Sequence, residues 1–174
     1  MPAFDPAQLR AIEGSPFEKR TLYRIVPTAY LEAMDEIGPS MRLGGRYNPP
    51  GEFGALYLTI NTECALSEMV KKVFGNRAAL PPLSVGEFQV SLRKVLDLTD
   101  KGVLQKLGMA PGLLLDPTDY SVTQELASAA RHNGFEGLIV PSAVREDCRN
   151  MVVFKDKMLP PSFCILDSQS IQKL

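Results

Sequence analysis

The side chains able to do chemistry are few, and they lie far apart along the chain. Arg24 follows Tyr23 in Thr21-Leu-Tyr-Arg-Ile-Val26, and Arg46 and Tyr47 stand in Gly44-Gly45-Arg46-Tyr47-Asn48-Pro49-Pro50-Gly51. Tyr57 falls within Ala55-Leu-Tyr-Leu-Thr-Ile60, Glu68 ends Ala65-Leu-Ser-Glu, and Ser142 follows Val140-Pro141. Arginine offers anions a rigid fork of donors, and a glycine such as Gly45 frees the backbone to approach a ligand closely. A fixed carboxylate stabilises positive charge that develops on a reacting carbon, and tyrosine rings stack. His132 is the only histidine and tryptophan is absent, so catalytic triads and histidine-rich metal centres lack material and no metal ligand set is assigned. GxGxxG and GxxxxGK[ST] elements are missing too, which argues against a Rossmann site or a P-loop.

Each of these residues also has an ordinary reading. Arg46 and Tyr47 fit a solvated loop, and Arg24 fits an outward-facing strand position. Glu68 precedes Lys71 and Lys72 by three and four residues, the spacing of an exposed helical ion pair. Ser142 fits a turn that bonds nearby backbone, and His132 suits the C-terminal end of a helix.

The elements that must carry these residues are legible in outline. A short helix is expected over 5–14, ending at Gly14, and a strand over 21–26 holding Tyr23 and Arg24. Residues 38–54 hold five glycines and three prolines and read as one long loop. A strand over 55–60 runs into a helix capped by Asn61 or Thr62, whose apolar stripe is Ala65, Leu66, Met69, Val70, Val73 and Phe74. Two strands are predicted over 84–91 and 94–98, then a short helix capped by Thr99 or Asp100 and ending near Gly108. Asp116-Pro117 is read as the start of a helix reaching His132, followed by strands over 137–141, 151–154 and 163–166. About seven strands and three or four helices without steady alternation predict a mixed α+β domain.

Composition bounds the function. The chain has 174 residues, 45% of them hydrophobic and 22% charged, enough apolar material for the core of one domain. Its 19 Lys and Arg against 20 Asp and Glu leave a formal charge of -1, so no excess field exists to hold nucleic acid or an anionic membrane. Cys64, Cys148 and Cys164 are odd in number, widely spaced and free of CxxC pairing, and read as reduced core thiols. The first residues lack a basic and an apolar signal region and no membrane-length apolar run occurs, so a cytoplasmic location is expected.

In combination the motifs say more. Tyr23-Arg24, Gly44-Gly45-Arg46-Tyr47-Asn48 with Gly51, Tyr57, Ala65-Leu66-x-Glu68 and Gly134-Phe-x-Gly-Leu-Ile-Val-Pro-Ser142 follow one another in the order seen in one family. The sequence resembles the RES domain, named for an Arg, a Glu and a Ser that map here onto Arg24 or Arg46, Glu68 and Ser142. The resemblance covers residues 20–156, leaving 1–19 as an N-terminal extension and 157–174 as a tail packing on the same domain.

That resemblance implies a single domain with a largely antiparallel sheet and flanking helices, similar to ADP-ribosyltransferases. It implies a bacterial toxin of a toxin-antitoxin pair that consumes NAD⁺ by phosphorolysis or hydrolysis at the nicotinamide bond, with no tightly bound cofactor. Inorganic phosphate is then a second reactant, and the partner is an antitoxin with an Xre-type helix-turn-helix domain. Glu68, Arg24 and Ser142 become the catalytic set, while Arg46, Tyr47, Tyr57, Gly45 and Tyr23 bind substrate. Many members of the family have Trp where Tyr47 stands, so the stacking ring is smaller here. Two other readings are a protein ADP-ribosyltransferase using NAD⁺ as donor and a non-catalytic module that binds a nucleotide or protein.

Overall fold

A computed structural model of the chain describes residues 3–174. Its frame is a six-stranded sheet in the order β1-β2-β5-β4-β3-β6, where β1 is Ser15–Pro27, β2 Leu56–Thr59, β3 Leu83–Asp97, β4 Gly137–Pro141, β5 Arg149–Val153 and β6 Phe163–Lys173. Strand β1 also pairs with β3, so five strands close on themselves and β6 adds to the outside of β3. Only β3 and β4 run parallel. The closure is thin at one place: β1 meets β2 through the single pair Tyr23 and Thr59.

Alternation along the strands sorts their side chains between two faces. Leu22, Leu58, Phe88, Val90, Met151 and Val153 are buried inside the ring. Tyr57, Leu138, Val140 and Val152 lie on the outer face. There they meet Leu104 and Leu107 of α3 (Lys101–Leu107) and Leu126, Ala127 and Ala130 of α4 (Ser121–His132). Burying each large side chain of this kind contributes about 2 kcal/mol. Helix α2 (Thr62–Lys72) packs Ala65 and Met69 against Ile25, Leu83 and Val85. Its first turn is capped by the Asn61 side chain, which accepts from the Cys64 N–H at 2.8 Å.

The mixed α+β class with mostly antiparallel strands is present, with six strands and four α-helices among the described residues. Several elements depart from expectation. The Gly/Pro-rich segment is not loop throughout: Gly38–Leu43 forms α1, with Pro39 in the first turn, where its missing N–H costs nothing, and Gly44 at φ +70° ending it. The strands expected over 84–91 and 94–98 are one strand, because the pairing with β1 slips between Arg20 and Phe17 and breaks the alternation without ending the ladder. Asp116 does not start α4; its carboxylate accepts from the N–H groups of Thr118 and Asp119 at 2.9 and 2.8 Å and closes a turn of its own. The leading helix is a 3₁₀ turn over Pro6–Ala11. No helix among the described residues is long and apolar enough to cross a membrane.

One buried charge belongs to the frame. Glu136 is 1% exposed, just before β4. It accepts from the Ser162 hydroxyl, from the N–H groups of Arg93 and Leu159 and from the Arg93 guanidinium, tying β3, β4 and the segment before β6 into one cluster.

Candidate active site

Strand register places several predicted residues on one surface. Tyr57 and Thr59 alternate onto the same face of β2, and their partners across β5 are Val152 and Asn150. Asn150 also lies opposite Val140 of β4, and Ser142 follows one step past the end of that strand. Helix α2 runs over this corner and supplies Glu68. One Glu68 carboxylate oxygen, Oε1, accepts from the Ser142 hydroxyl at 2.9 Å and from Asn150 Nδ2 at 3.0 Å, joining residues 74 and 82 positions apart. Both contacts fall on Oε1 alone, so Oε2 makes no hydrogen bond among the described residues.

Ser142 is only 6% exposed, and its Oγ accepts from the N–H groups of Val144 and Arg145 at 3.1 and 3.3 Å. With both lone pairs engaged by backbone, the hydroxyl proton is directed at Glu68. The ordinary turn reading of Ser142 is therefore correct locally and incomplete: the turn aims the serine at the carboxylate. Glu68 forms no ion pair with Lys71 or Lys72 in this structure.

Tyr57, two residues and about 7 Å along β2 from Thr59, anchors a second cluster on the same face. Its hydroxyl donates to Asn48 Oδ1 at 2.6 Å and accepts from the Tyr47 N–H at 3.1 Å. Asn48, fully buried, donates in turn to the carbonyls of Ser40 and Phe53. A Cβ on Gly45 would lie 2.6 Å from the Tyr57 hydroxyl and 2.9 Å from Asn48 Oδ1, so glycine is required here to admit this pair. Burial raises the pKa of both Tyr47 and Tyr57 well above the ordinary phenol value, keeping them neutral.

Arg46 turns toward the other wall of the loop. Its Nη1 donates to the carbonyls of Leu114 and Asp116 at 3.2 and 2.6 Å, and the guanidinium lies 4.5 Å from the Tyr120 ring centroid. Its carbonyl accepts from Thr123, and that of Gly45 from Gln124, so α4 holds the loop in place. Tyr23 packs with the α2 cluster. Arg24 occupies the opposite face of β1, between Leu22 and Val26, across from Gly86. Its Nη1 is buried with no hydrogen-bond partner. Burial disfavours the Arg24 charge, and Asp35 and Cys164 oppose that effect. Lys72 connects the two sides electrostatically: burial and Arg24 lower its pKa while Glu68 raises it.

The structure thus brings Glu68 and Ser142 into contact and groups Gly45, Tyr47 and Tyr57 beside them. Arg24 lies on the far side of the thin β1–β2 junction, and Arg46 is engaged with backbone carbonyls. Two contributors were missed in the sequence, Asn48 and Asn150. Asn48 lies inside the Gly44–Gly51 segment, next to Tyr47, which is the one signal the sequence carries for it; Asn150 sits in an unremarkable strand, and nothing short of pairing reveals it. Its Oδ1 is buried and without a partner.

The cysteines require a correction. Cys64 and Cys148 are not reduced core thiols; they form a disulfide with Cα atoms 5.8 Å apart. Residues separated by 84 positions with no motif between them give no signal of proximity, and only the packing of α2 across the β4–β5 turn joins them. Cys164 is free and buried, as expected, and burial pushes its pKa up to about 11. The bond clamps the start of α2 to the turn holding Ser142, whose N–H donates to the Cys148 carbonyl. Reduction with a dithiol is expected to cost about 2 to 3 kcal/mol of stability. Thermal melts of oxidised and reduced protein, with free thiols counted in each, check this.

A family model for the RES domain matches residues 21–163. No curated protein matches the chain. Among solved structures, the chain is similar to one from the crystal structure of the M. tuberculosis MbcT-MbcA toxin-antitoxin complex. The TM-score is 0.76 with 21% identity, over 97% of this chain and 91% of that one. That likeness establishes the fold, and with a family match across most of its length the chain belongs to the RES-domain family.

Proposed function

We propose that this protein is the toxin of a toxin-antitoxin pair and breaks the nicotinamide-ribose bond of NAD⁺. The observation carrying the reading is the carboxylate of Glu68, pinned through Oε1 by Ser142 and Asn150 with Oε2 free. When that glycosidic bond breaks, neutral nicotinamide departs and positive charge moves onto the ribose, as in glycoside hydrolysis. A preorganised carboxylate stabilises that charge, and the leaving group needs no acid, which suits a chain with a single histidine. Glu68 fills this role and Ser142 and Asn150 position it. The orphaned Arg24 Nη1 is a buried donor in need of an acceptor, and a substrate phosphate or hydroxyl supplies one.

Tyr57 forms the wall beside the ribose and nicotinamide; the Tyr47 ring is 2% exposed within the outer-face core, so Tyr47 acts by donating its N–H to the Tyr57 hydroxyl, which Gly45 admits. Arg46 acts through the loop it fastens to Leu114 and Asp116. Family membership and the similarity to a chain of a toxin-antitoxin complex support an antitoxin partner. In this reading that partner carries an Xre-type helix-turn-helix domain and the toxin acts on the cytoplasmic NAD⁺ pool. Incubating the protein with NAD⁺, with and without inorganic phosphate, is expected to release nicotinamide. The product mass then separates ADP-ribose, its 1″-phosphate and a modified protein. Intact NAD⁺ after incubation with folded protein would overturn the reading.

A further inference from the structure

Beyond the predicted residues, the gap in the sheet holds a cleft. Two cavities of about 390 and 200 Å³ lie between the first half of β1 and strands β4 and β5, and they share Phe17, Arg20, Ile139 and Arg149. The pair occupies the space that β2 would fill if it ran on past Thr59 alongside β1. Ile60, the next residue, lines the smaller cavity.

Three observations give this cleft a chemical preference. The smaller cavity is lined by Arg20 and Arg149 and by no acidic residue; Glu18 and Asp97 line only the larger one, and Asp97 already accepts from the N–H and hydroxyl of Thr99. Neither guanidinium has a carboxylate partner among the described residues. Register places Arg20, Leu22 and Arg24 on one face of β1, opposite Val90, Phe88 and Gly86, so the orphaned donor of Arg24 lies farther along the same face. The cleft also adjoins the candidate catalytic carboxylate, because Asn150 lines the smaller cavity and donates to Glu68.

We propose that this cleft is a phosphate subsite, with Arg20 and Arg149 as its cations. Two unpaired guanidinium forks converging from facing strands suit a phosphate or diphosphate better than a carboxylic acid, since each fork can take two oxygens. The Phe17 ring, 5.4 Å from the Arg20 guanidinium, holds that side chain against the wall. The ligand is the diphosphate of a dinucleotide or a free inorganic phosphate, and its identity as a reactant rests on the NAD⁺ reading above.

The test uses the full chain carrying Glu68→Gln, which prevents turnover, and titrates ADP and inorganic phosphate separately by calorimetry. Arg20→Ala and Arg149→Ala are each expected to weaken binding about tenfold, and the pair together more. Arg77→Ala, a charge removed from an exposed 3₁₀ turn elsewhere, is expected to change it less than about twofold. Melting curves of each variant confirm folding, and Arg20→Lys is expected to restore part of the affinity. Weakened ADP binding alone assigns the subsite to the dinucleotide; weakened phosphate binding alone assigns it to the free anion. Unchanged affinity for both ligands in both alanine variants overturns the proposal. Weakened binding in a protein whose native form leaves NAD⁺ intact would keep the subsite and remove the NAD⁺ reading. NAD⁺ consumption with unaltered KM for NAD⁺ and for phosphate in both variants would do the opposite.

Discussion

Glu68→Gln is expected to lower NAD⁺ consumption about 100-fold or more while leaving the melting curve nearly unchanged. The reasoning separates structure from chemistry at one atom. Glutamine keeps a carbonyl oxygen where Oε1 stands, so the donors on Ser142 and Asn150 remain satisfied and α2 stays seated on the β4–β5 corner. What disappears is the negative charge facing the substrate, and with it the stabilisation of a cationic ribose. Asn150→Ala is expected to fall between the variant and the native protein, lowering kcat about tenfold with a smaller effect on KM, because Glu68 would retain its charge and lose one of the groups that orient it. Measured rates and melts of the purified proteins decide both. A Glu68→Gln protein with native activity would remove the carboxylate from the mechanism.

Glu136→Ala is expected to have the largest effect on stability, about 4 kcal/mol, or a fall in Tm of about 10 °C. The carboxylate collects five donors at the junction of β3, β4 and the segment before β6, and alanine would remove the shared acceptor of the Ser162 hydroxyl, the Leu159 N–H and the Arg93 guanidinium, leaving the Arg93 N–H only its contact with Ser162 Oγ. Burial alone would raise the Glu136 pKa. The Ser162 hydroxyl, the Arg93 and Leu159 N–H groups and the Arg93 guanidinium outweigh that and hold it below the ordinary value of 4.5. A depressed folded-state pKa means that the contribution is present above the unfolded value and is lost as pH falls through the folded one. Denaturant unfolding at about pH 7 and about pH 3 should therefore show a steeper acid loss in native protein than in Glu136→Ala. Activity per folded molecule should be unchanged, since Glu136 contacts none of the candidate site residues. Equal acid sensitivity in the two proteins would remove this carboxylate as the cause.

Glu136 was overlooked in the sequence for a reason that applies to charged residues generally. A lone Glu between Phe135 and Gly137 looks solvated by default, because buried carboxylates are rare and are betrayed only by the donors that surround them. Those donors come from Arg93, Leu159 and Ser162, none of them a sequence neighbour. Asn150 was missed in the same way, and so was the bond between Cys64 and Cys148.

Local chemistry was read correctly where local forces decide. Asn61 caps α2, Asp100 caps α3, and α2 buries Ala65 and Met69 from the expected stripe, because capping and amphipathic spacing act within one or two turns; the stripe stops short of its expected end, since the helix closes at Lys72 and Phe74 lies exposed beyond it. The motif order from Tyr23-Arg24 to Ser142 was enough to point to the RES domain. The sheet's closure lay beyond that reach. Pairing of β1 with both β2 and β3 depends on strands up to 80 positions apart, and alternation reports a strand's two faces without saying which strand it will meet. For the same reason the sequence supplied Glu68 and Ser142 as candidates, while tertiary structure alone decided that they share a hydrogen bond, that Asn150 joins them and that Arg46 spends its donors on backbone. Residue types and short spacings set what a side chain can do; long-range pairing sets what it faces, since the free energy of a contact depends on who arrives there.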